Sequence, residues 1–508
     1  MNKIDTDNVN MNNTNNVIMN NTNNVIMNNT DNVNINNTNN VNMNNTSNVN
    51  MNNTSNVTMN NTNNVNIHNT GNVIIHNTDN VNMNNTDNVN MDKIDIDYID
   101  DFRRSSRISA LAALILREVG RLVNIMPKNI MPINIMEVCG GHTHTIMRFG
   151  LMQILPPEIN FVHGPGCPVC IMPKERVDHA VALARDPGNI LVTFGDMIRV
   201  PGSGGSLRDV RARGGDVRPV YSPLDALSVA RENPRKRVVY FAIGFETTAP
   251  TTAALIMRAE AEGLKNLFFH INHVLVVPPV SAIMEGGANI DAFIGPSHVS
   301  VITGARVYDE IAARFGTPVV VAGFEPVDVM DGVLRVIRQI EEIKRGGAAR
   351  VEIQYTRAVT IEGNARAAAL VEKYFQVRDS FRWRGLGDIP QSALRLRPRY
   401  ASMDAEEIFK DTLPCRPIDD HKRCICGSIL RGAAKPPECP VFGSACTPEN
   451  PLGACMVSSE GACAAYHKYM LPEDELEREP GLKIGNEIGG EIAGKSGPQM
   501  SPGRESSP

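Results

Sequence analysis

An α/β fold built on parallel sheets is predicted for the middle of this 508-residue chain, on three observations. Short, almost uninterrupted apolar runs recur along it. Most of them end in glycine-bearing turns, and most are followed by helix-like segments of mixed polarity. A strand that is apolar on both faces and leads into a helix belongs to a parallel sheet covered on both sides. In such sheets ligands meet the loops after the C-terminal ends of the strands, and the chemically unusual residues of this chain fall there.

The chain begins with a leader, residues 1–101, that holds ten Asp, two Lys and no Arg or Glu; the whole chain is −5, so the rest is close to neutral. From Met11 to Met91 the leader repeats every eight residues as Met/Ile-Asn-Asn-Thr-x-Asn-Val-x. Two isolated apolar residues per repeat bury little surface against the entropy of ordering a chain, so disorder is expected, with a stacked β-solenoid as the alternative. The near-neutral remainder contains no run of Lys and Arg, which argues against nucleic acid or an anionic membrane surface as a partner. No segment approaches the length of a membrane span, and the first residues do not resemble a signal peptide, so a cytoplasmic protein is expected. All ten cysteines lie between Cys139 and Cys463. In a reducing compartment that usage points to metal binding or redox work rather than a static disulfide framework.

Residues 102–386 read as the α/β core. It opens with the helix-like run ISALAALILREVGRLV and continues through strand candidates INIMEVCGGHT, INFVHGPGC, NILVTFGD, RVVYFAIGFETT, NLFFHINH, DAFIGPSH and PVVVAGFEP. Gly-Phe-Glu follows two of these strands, at Gly244–Glu246 and Gly323–Glu325, which suggests two related halves. Glu246 and Glu325 are read as capping or loop-fixing carboxylates, with general-base roles as the alternative. The run Gly202-Ser203-Gly204-Gly205-Ser206 lacks the Gly-Lys-Ser/Thr ending of a phosphate loop and is read as a flexible surface loop. Residues 387–474 form a Pro- and Cys-rich module with seven of the ten cysteines, and residues 475–508 form a Gly-, Ser-, Pro- and Glu-rich tail expected to be disordered.

Three cysteine constellations carry the chemistry. In the first, Glu137-Val138-Cys139-Gly140-Gly141-His142-Thr143-His144, a strand-end cysteine precedes two glycines whose backbone N–H groups can turn toward the sulfur. A lowered thiol pKa is expected there, making Cys139 a metal ligand or nucleophile. His144 is read as structural. In the second, His163-Gly164-Pro165-Gly166-Cys167-Pro168-Val169-Cys170, the Cys-x-x-Cys spacing suits either a reversible thiol pair opening a helix or half of a metal site. The third comprises Cys415, Cys424, Cys426, Cys439, Cys446, Cys455 and Cys463. Such a dense set suits an iron–sulfur cluster or zinc.

Taken together, MEVCGGHTHT, GPGCPVC, TFGDMIRVPGS, AIGFETTAPTTA, GPSHVSVITG, AGFEPVDVM and the C-terminal cysteine array resemble the HypD family of hydrogenase maturation factors, over approximately residues 104–470. The leader and tail depart from the family and inherit no function from it. The resemblance implies that Cys139 is the thiolate holding the iron that becomes the Fe(CN)2CO unit of [NiFe] hydrogenase, with His142 close by. It implies that Cys167 and Cys170 are a redox-active thiol pair. The family's Cys-x14-Cys-x6-Cys-x16-Cys pattern places a [4Fe-4S] cluster on Cys424, Cys439, Cys446 and Cys463, leaving Cys415, Cys426 and Cys455 outside it. It further implies that the iron, carrying cyanide and carbon monoxide, is shared with a HypC-type small chaperone, and that cyanide arrives from a HypE-type donor. The chain would then be a redox-active assembly scaffold without a simple turnover reaction of its own. A cluster-linked thiol-disulfide oxidoreductase, which would not need Cys139, and a zinc-stabilised binding module are the competing readings.

Overall fold

Parallel pairing dominates the structure, a computed structural model that describes residues 8–13, 15–90, 105–125, 132–414, 418 and 420–470. The chain divides into two compact units, Met1–Pro127 with Ile294–Gly363, and Lys128–Phe293 with Asn364–Pro508. The α/β expectation holds, and each of the seven apolar runs contains a strand. The expected tail, 475–508, and Cys415 lie outside the described residues.

In the first unit the leader is not disordered over its described part. Asn8 pairs in register with Asn24 and Asn15 with Asp31, both parallel, so the chain coils and returns above itself every sixteen residues. Two octapeptides therefore make one coil. The inward positions are the repeat's apolar residues, with Val25, Met27, Val33, Ile35, Met43 and Met51 all almost fully buried and Thr30, Thr38 and Thr46 beside them. Outside, asparagine side chains form ladders: Asn28 donates to Asn12 at 2.8 Å, and Asn44 to Asn28 at 2.8 Å. The coil turns at asparagines with positive φ, among them Asn29, Asn37, Asn45 and Asn53, a conformation Asn tolerates better than most residues. The expectation of disorder counted apolar residues per repeat. What stabilises the coil is that every one of them stacks on its equivalent one coil away, while the backbone groups and amides pair along the same axis.

The same unit contains the helix Ser105–Ile125, which buries Leu111, Leu114, Ile115, Val119 and Leu122 at helical spacing and packs on the helix Pro326–Lys344. Beside them the strand Val319–Ala322 pairs in parallel with Val351–Ile353. Glu325 occupies the N-cap position of Pro326–Lys344 without a side-chain capping bond. Inside that helix, buried Asp328 is held by Arg357 at 2.7 Å.

In the second unit four parallel strands lie in the order Val217–Val220, Asn189–Phe194, Arg237–Gly244, Leu267–His273. The helices Leu207–Ala212, Asp225–Glu232 and Ala249–Ala261 connect them, and Lys174–Arg185 leads into Asn189–Phe194. A further parallel pair, Ile133–Glu137 with Ile159–His163, ends in the two N-terminal cysteine motifs. After it come two antiparallel pairs, Phe375–Val377 with Leu394–Leu396 and Ser380–Trp383 with Gly387–Pro390. The boundary expected after Leu386 falls in the turn of the second hairpin. Ser203 bonds Asp178 through its backbone N–H at 2.8 Å, and Ser206 forms a capping box with Asp209, so the glycine–serine run is tied down rather than a flexible loop.

Candidate cysteine and metal site

The strand Ile133–Glu137 is buried along its whole length, and Cys139 follows it at the N-cap of the helix Gly140–Arg148. Its sulfur accepts from the Gly141 N–H at 3.4 Å, and its carbonyl accepts from the N–H groups of His142 at 3.0 Å and Thr143 at 3.2 Å. His142 is fully buried behind it. Two glycines are required by close approach. A side chain at Gly140 would run into Glu460, and one at Gly166 would run into the backbone of Cys139. The Gly-Pro-Gly turn of the second motif thus lies directly against the Cys139 backbone, and Glu460 of the C-terminal module lies against Gly140.

The thiol environment differs from the sequence expectation of a lowered pKa. Burial pushes the Cys139 thiol well above its ordinary value, and the Glu460 carboxylate pushes the same way; the Gly141 N–H only partly offsets them. An uncharged sulfur in this pocket is therefore the stable form until a cation supplies the compensating charge. Glu460 is itself raised, first by burial and then by Asp196, which follows the strand Asn189–Phe194.

Beneath Cys139 lies a buried polar chain. Glu137 accepts from the Cys139 backbone N–H at 3.0 Å and from the Thr143 hydroxyl, and meets His163 Nδ1 at 2.7 Å. His163 Nε2 lies 3.0 Å from the Tyr466 hydroxyl. Burial raises the Glu137 pKa against the lowering effect of His163. Sequence reasoning quoted Glu137 and His163 only as the first letters of their motifs; the available signal was a charged or polar residue closing an apolar strand. His144 fits its structural reading, bonded to the Tyr469 hydroxyl at 2.9 Å.

Cys167 and Cys170 are joined by a disulfide, with Cα atoms 5.2 Å apart, and both are buried. They occupy the turn after Ile159–His163, whereas the helix begins at Lys174. The expected placement in a helix's first turn is therefore not realised. Glu246 is half-buried; it accepts from the Val276 N–H at 3.0 Å, and desolvation of its carboxylate raises it to about 7. Its loop-fixing reading fits that bond.

In the C-terminal module Cys463 opens the helix Ala462–Tyr469. Burial raises its thiol pKa, and the neighbouring Cys424, Cys426, Cys446 and Cys439 act on it in the same direction. The four positions of the expected cluster set are therefore neighbours. Cys426 and Cys455, placed outside that set, are neighbours too: Cys424 and Cys455 both act on the Cys426 thiol. Among the described residues no three His, Cys, Asp or Glu side chains form a ready-made site for a single metal ion. The donors that gather are all thiols, which suits a soft iron–sulfur centre more than a hard cation. Gly453 passes so close to the Cys424 sulfur that a Cβ there would lie at 2.9 Å. The helix Ala462–Tyr469 also packs on Gly140–Arg148, where Ala465 and Tyr466 meet Met147.

This arrangement defines an α/β protein whose chemistry is carried by thiols at strand ends and in an appended cysteine module. A profile of HypD, described as the hydrogenase formation hypA family, matches residues 114–470. Over 379 residues the chain is 49% identical to the hydrogenase maturation factor HypD of Azotobacter vinelandii, covering 73% of this chain and 96% of that protein. It is 48% identical over 380 residues to the HypD of Rhizobium leguminosarum bv. viciae, covering 73% and 95%. It is 44% identical over 379 residues to the HypD of Escherichia coli K12, covering 74% and 99%. The chain belongs to the HypD family of hydrogenase maturation factors. Among the described residues no helix is long and apolar enough to cross a membrane.

Proposed function

We propose that this protein is the scaffold on which the Fe(CN)2CO unit of [NiFe] hydrogenase is assembled, working with a HypC-type small chaperone and accepting cyanide from a HypE-type donor. The observation that supports this reading best is the convergence on Cys139. The Gly166 turn of the Cys-x-x-Cys motif, Glu460 of the cysteine module and the Glu137 carboxylate all approach that one residue. Iron is the cargo, and Cys139 offers it a sulfur that burial holds as a thiol until metal arrives. Low-spin iron with cyanide and carbonyl ligands prefers such a soft donor.

Each part of the chain then has a task. Glu137 and the Gly141 N–H orient Cys139, and the burial of His142 and Cys139 excludes water from the cargo. Cys424, Cys439, Cys446 and Cys463 would hold a [4Fe-4S] cluster, which supplies single electrons when bound. Cys167 and Cys170 exchange dithiol for disulfide, a two-electron step. The test is infrared spectroscopy of the anaerobically isolated protein with its small partner. Cyanide and carbonyl stretches are expected in the wild type and not in Cys139→Ser; ligated iron in that variant would refute the scaffold role.

A further inference from the structure

The hairpin Ser380–Trp383/Gly387–Pro390 turns through Arg384, whose side chain is only 1% exposed. Its Nε donates to Asp420 at 2.6 Å, but Nη1 and Nη2 are buried without a hydrogen-bond partner. A guanidinium sealed from water with both terminal nitrogens unpaired is costly, since buried donors are normally satisfied. The cost falls if an acceptor arrives from outside the chain.

A cavity of about 270 Å³ opens beside it, lined by Lys174, Arg382, Arg384 and Asp420 among others. Among the described lining residues three are cationic and one is a carboxylate, and Arg382 leans toward a second carboxylate, Glu175, at 3.8 Å. The twelve-residue helix Lys174–Arg185 starts in the wall, with Pro173 at its N-cap and no side-chain capping bond, so the positive end of a helix adds to the field. The Arg384 N–H donates to the carbonyl of Ile171 at 2.9 Å, one residue past Cys170. The cavity is built on the loop that carries the disulfide.

We propose that this cavity is an oxyanion-binding site, in which the free fork of Arg384 takes two oxygens of a carboxylate or phosphate group on a small ligand and Lys174 supplies a second cation. The fork geometry of a guanidinium matches either group, which a lysine in its place does not. This site is separate from the cysteine chemistry and does not depend on the assembly role.

The test is calorimetric titration of the full-length, anaerobically purified protein with inorganic phosphate and, separately, with acetate, at ionic strength held constant with chloride. One saturable site per chain is expected for at least one of them, with a matching rise in melting temperature. Preference for phosphate points to a phosphorylated ligand, and preference for acetate to a carboxylic acid. Lys174→Ala should weaken binding about tenfold, the effect of losing one charge-assisted hydrogen bond, in a protein whose circular dichroism shows it folded. Arg384→Lys, which keeps the charge but loses the fork, should abolish saturable binding. Should Arg384→Lys fail to fold, the Lys174→Ala comparison decides alone. Neither anion binding better than chloride, or full affinity in a folded variant, overturns the proposal.

Discussion

Glu137 and His163 are register partners at the ends of two parallel strands, and their side chains meet at 2.7 Å. Through this pair the residue two before Cys139 is bonded to the residue four before Cys167, and His163 extends the link to Tyr466, three residues after Cys463. Each of the three cysteine segments contributes one member to a single buried chain.

Removing the carboxylate from that chain should loosen all three segments. Glu137→Ala leaves the Cys139 N–H, the Thr143 hydroxyl and His163 without their shared acceptor, and is expected to cost about 3 kcal/mol. Chemical denaturation with unchanged slope measures it. A loss under about 1 kcal/mol would mean that the chain does not hold the strand ends together.

Gly166→Ala inserts a methyl group into the backbone of Cys139 and is expected to destabilise the protein by about 1–3 kcal/mol or more. Gly195→Ala is the control, because a Cβ there meets nothing within 4 Å. Equal melting temperatures for the two variants would contradict the close approach.

Single Ala variants of Cys424, Cys439, Cys446 and Cys463 should each remove the broad visible absorbance of a [4Fe-4S] centre, while Cys455→Ala keeps it. Iron and acid-labile sulfide assays check both halves. Full sulfide content after loss of Cys439 would sink the proposed ligand set.

His273 is buried neutral, its Nε2 2.9 Å from the Thr252 hydroxyl, and burial lowers its pKa to about 4. The unfolded chain takes up a proton near pH 6.5 that the folded chain refuses until about 4, so this residue's contribution is full above pH 6.5 and is lost as pH falls toward 4. The melting temperature of wild type relative to His273→Gln should therefore decline between pH 7 and pH 5. A difference that stays constant over that range would show that His273 titrates normally in the folded protein.

In the leader, Val33→Asp places a charge inside the coil and should reduce the β signal in circular dichroism, whereas Asn34→Asp, on the exposed side, should not. Deletion of residues 1–100 should remove the leader's share of that signal while hydrogenase maturation is retained in a complementation assay. Failure of the deleted protein to complement, despite normal expression, would assign the leader a task in maturation.

The strands of the core were legible because parallel strands buried on both faces leave unbroken apolar runs, as in Arg237–Gly244. The short antiparallel pairs were not, since Phe375–Val377 and Leu394–Leu396 are three residues each and their partners are set by tertiary packing. The cysteine positions stood out by type and spacing. Their environment did not: the Cys139 pKa depends on Glu460, 321 positions away, and the His163 bond to Tyr466 spans 303. The leader misled for another reason. Its stability comes from stacking one repeat on another, a term that does not appear when a single repeat is weighed alone.

The sixteen-residue coil gives the number of repeats a parity. Every copy has the same inward and outward positions, so the rod itself tolerates any whole number of them. Each added pair lengthens it by about 4.8 Å, one strand spacing, and leaves the chain departing on the same side. An odd copy moves the point of departure half a coil round the axis. Leaders that differ by one repeat would end on opposite sides of the coil, and those that differ by two would end on the same side.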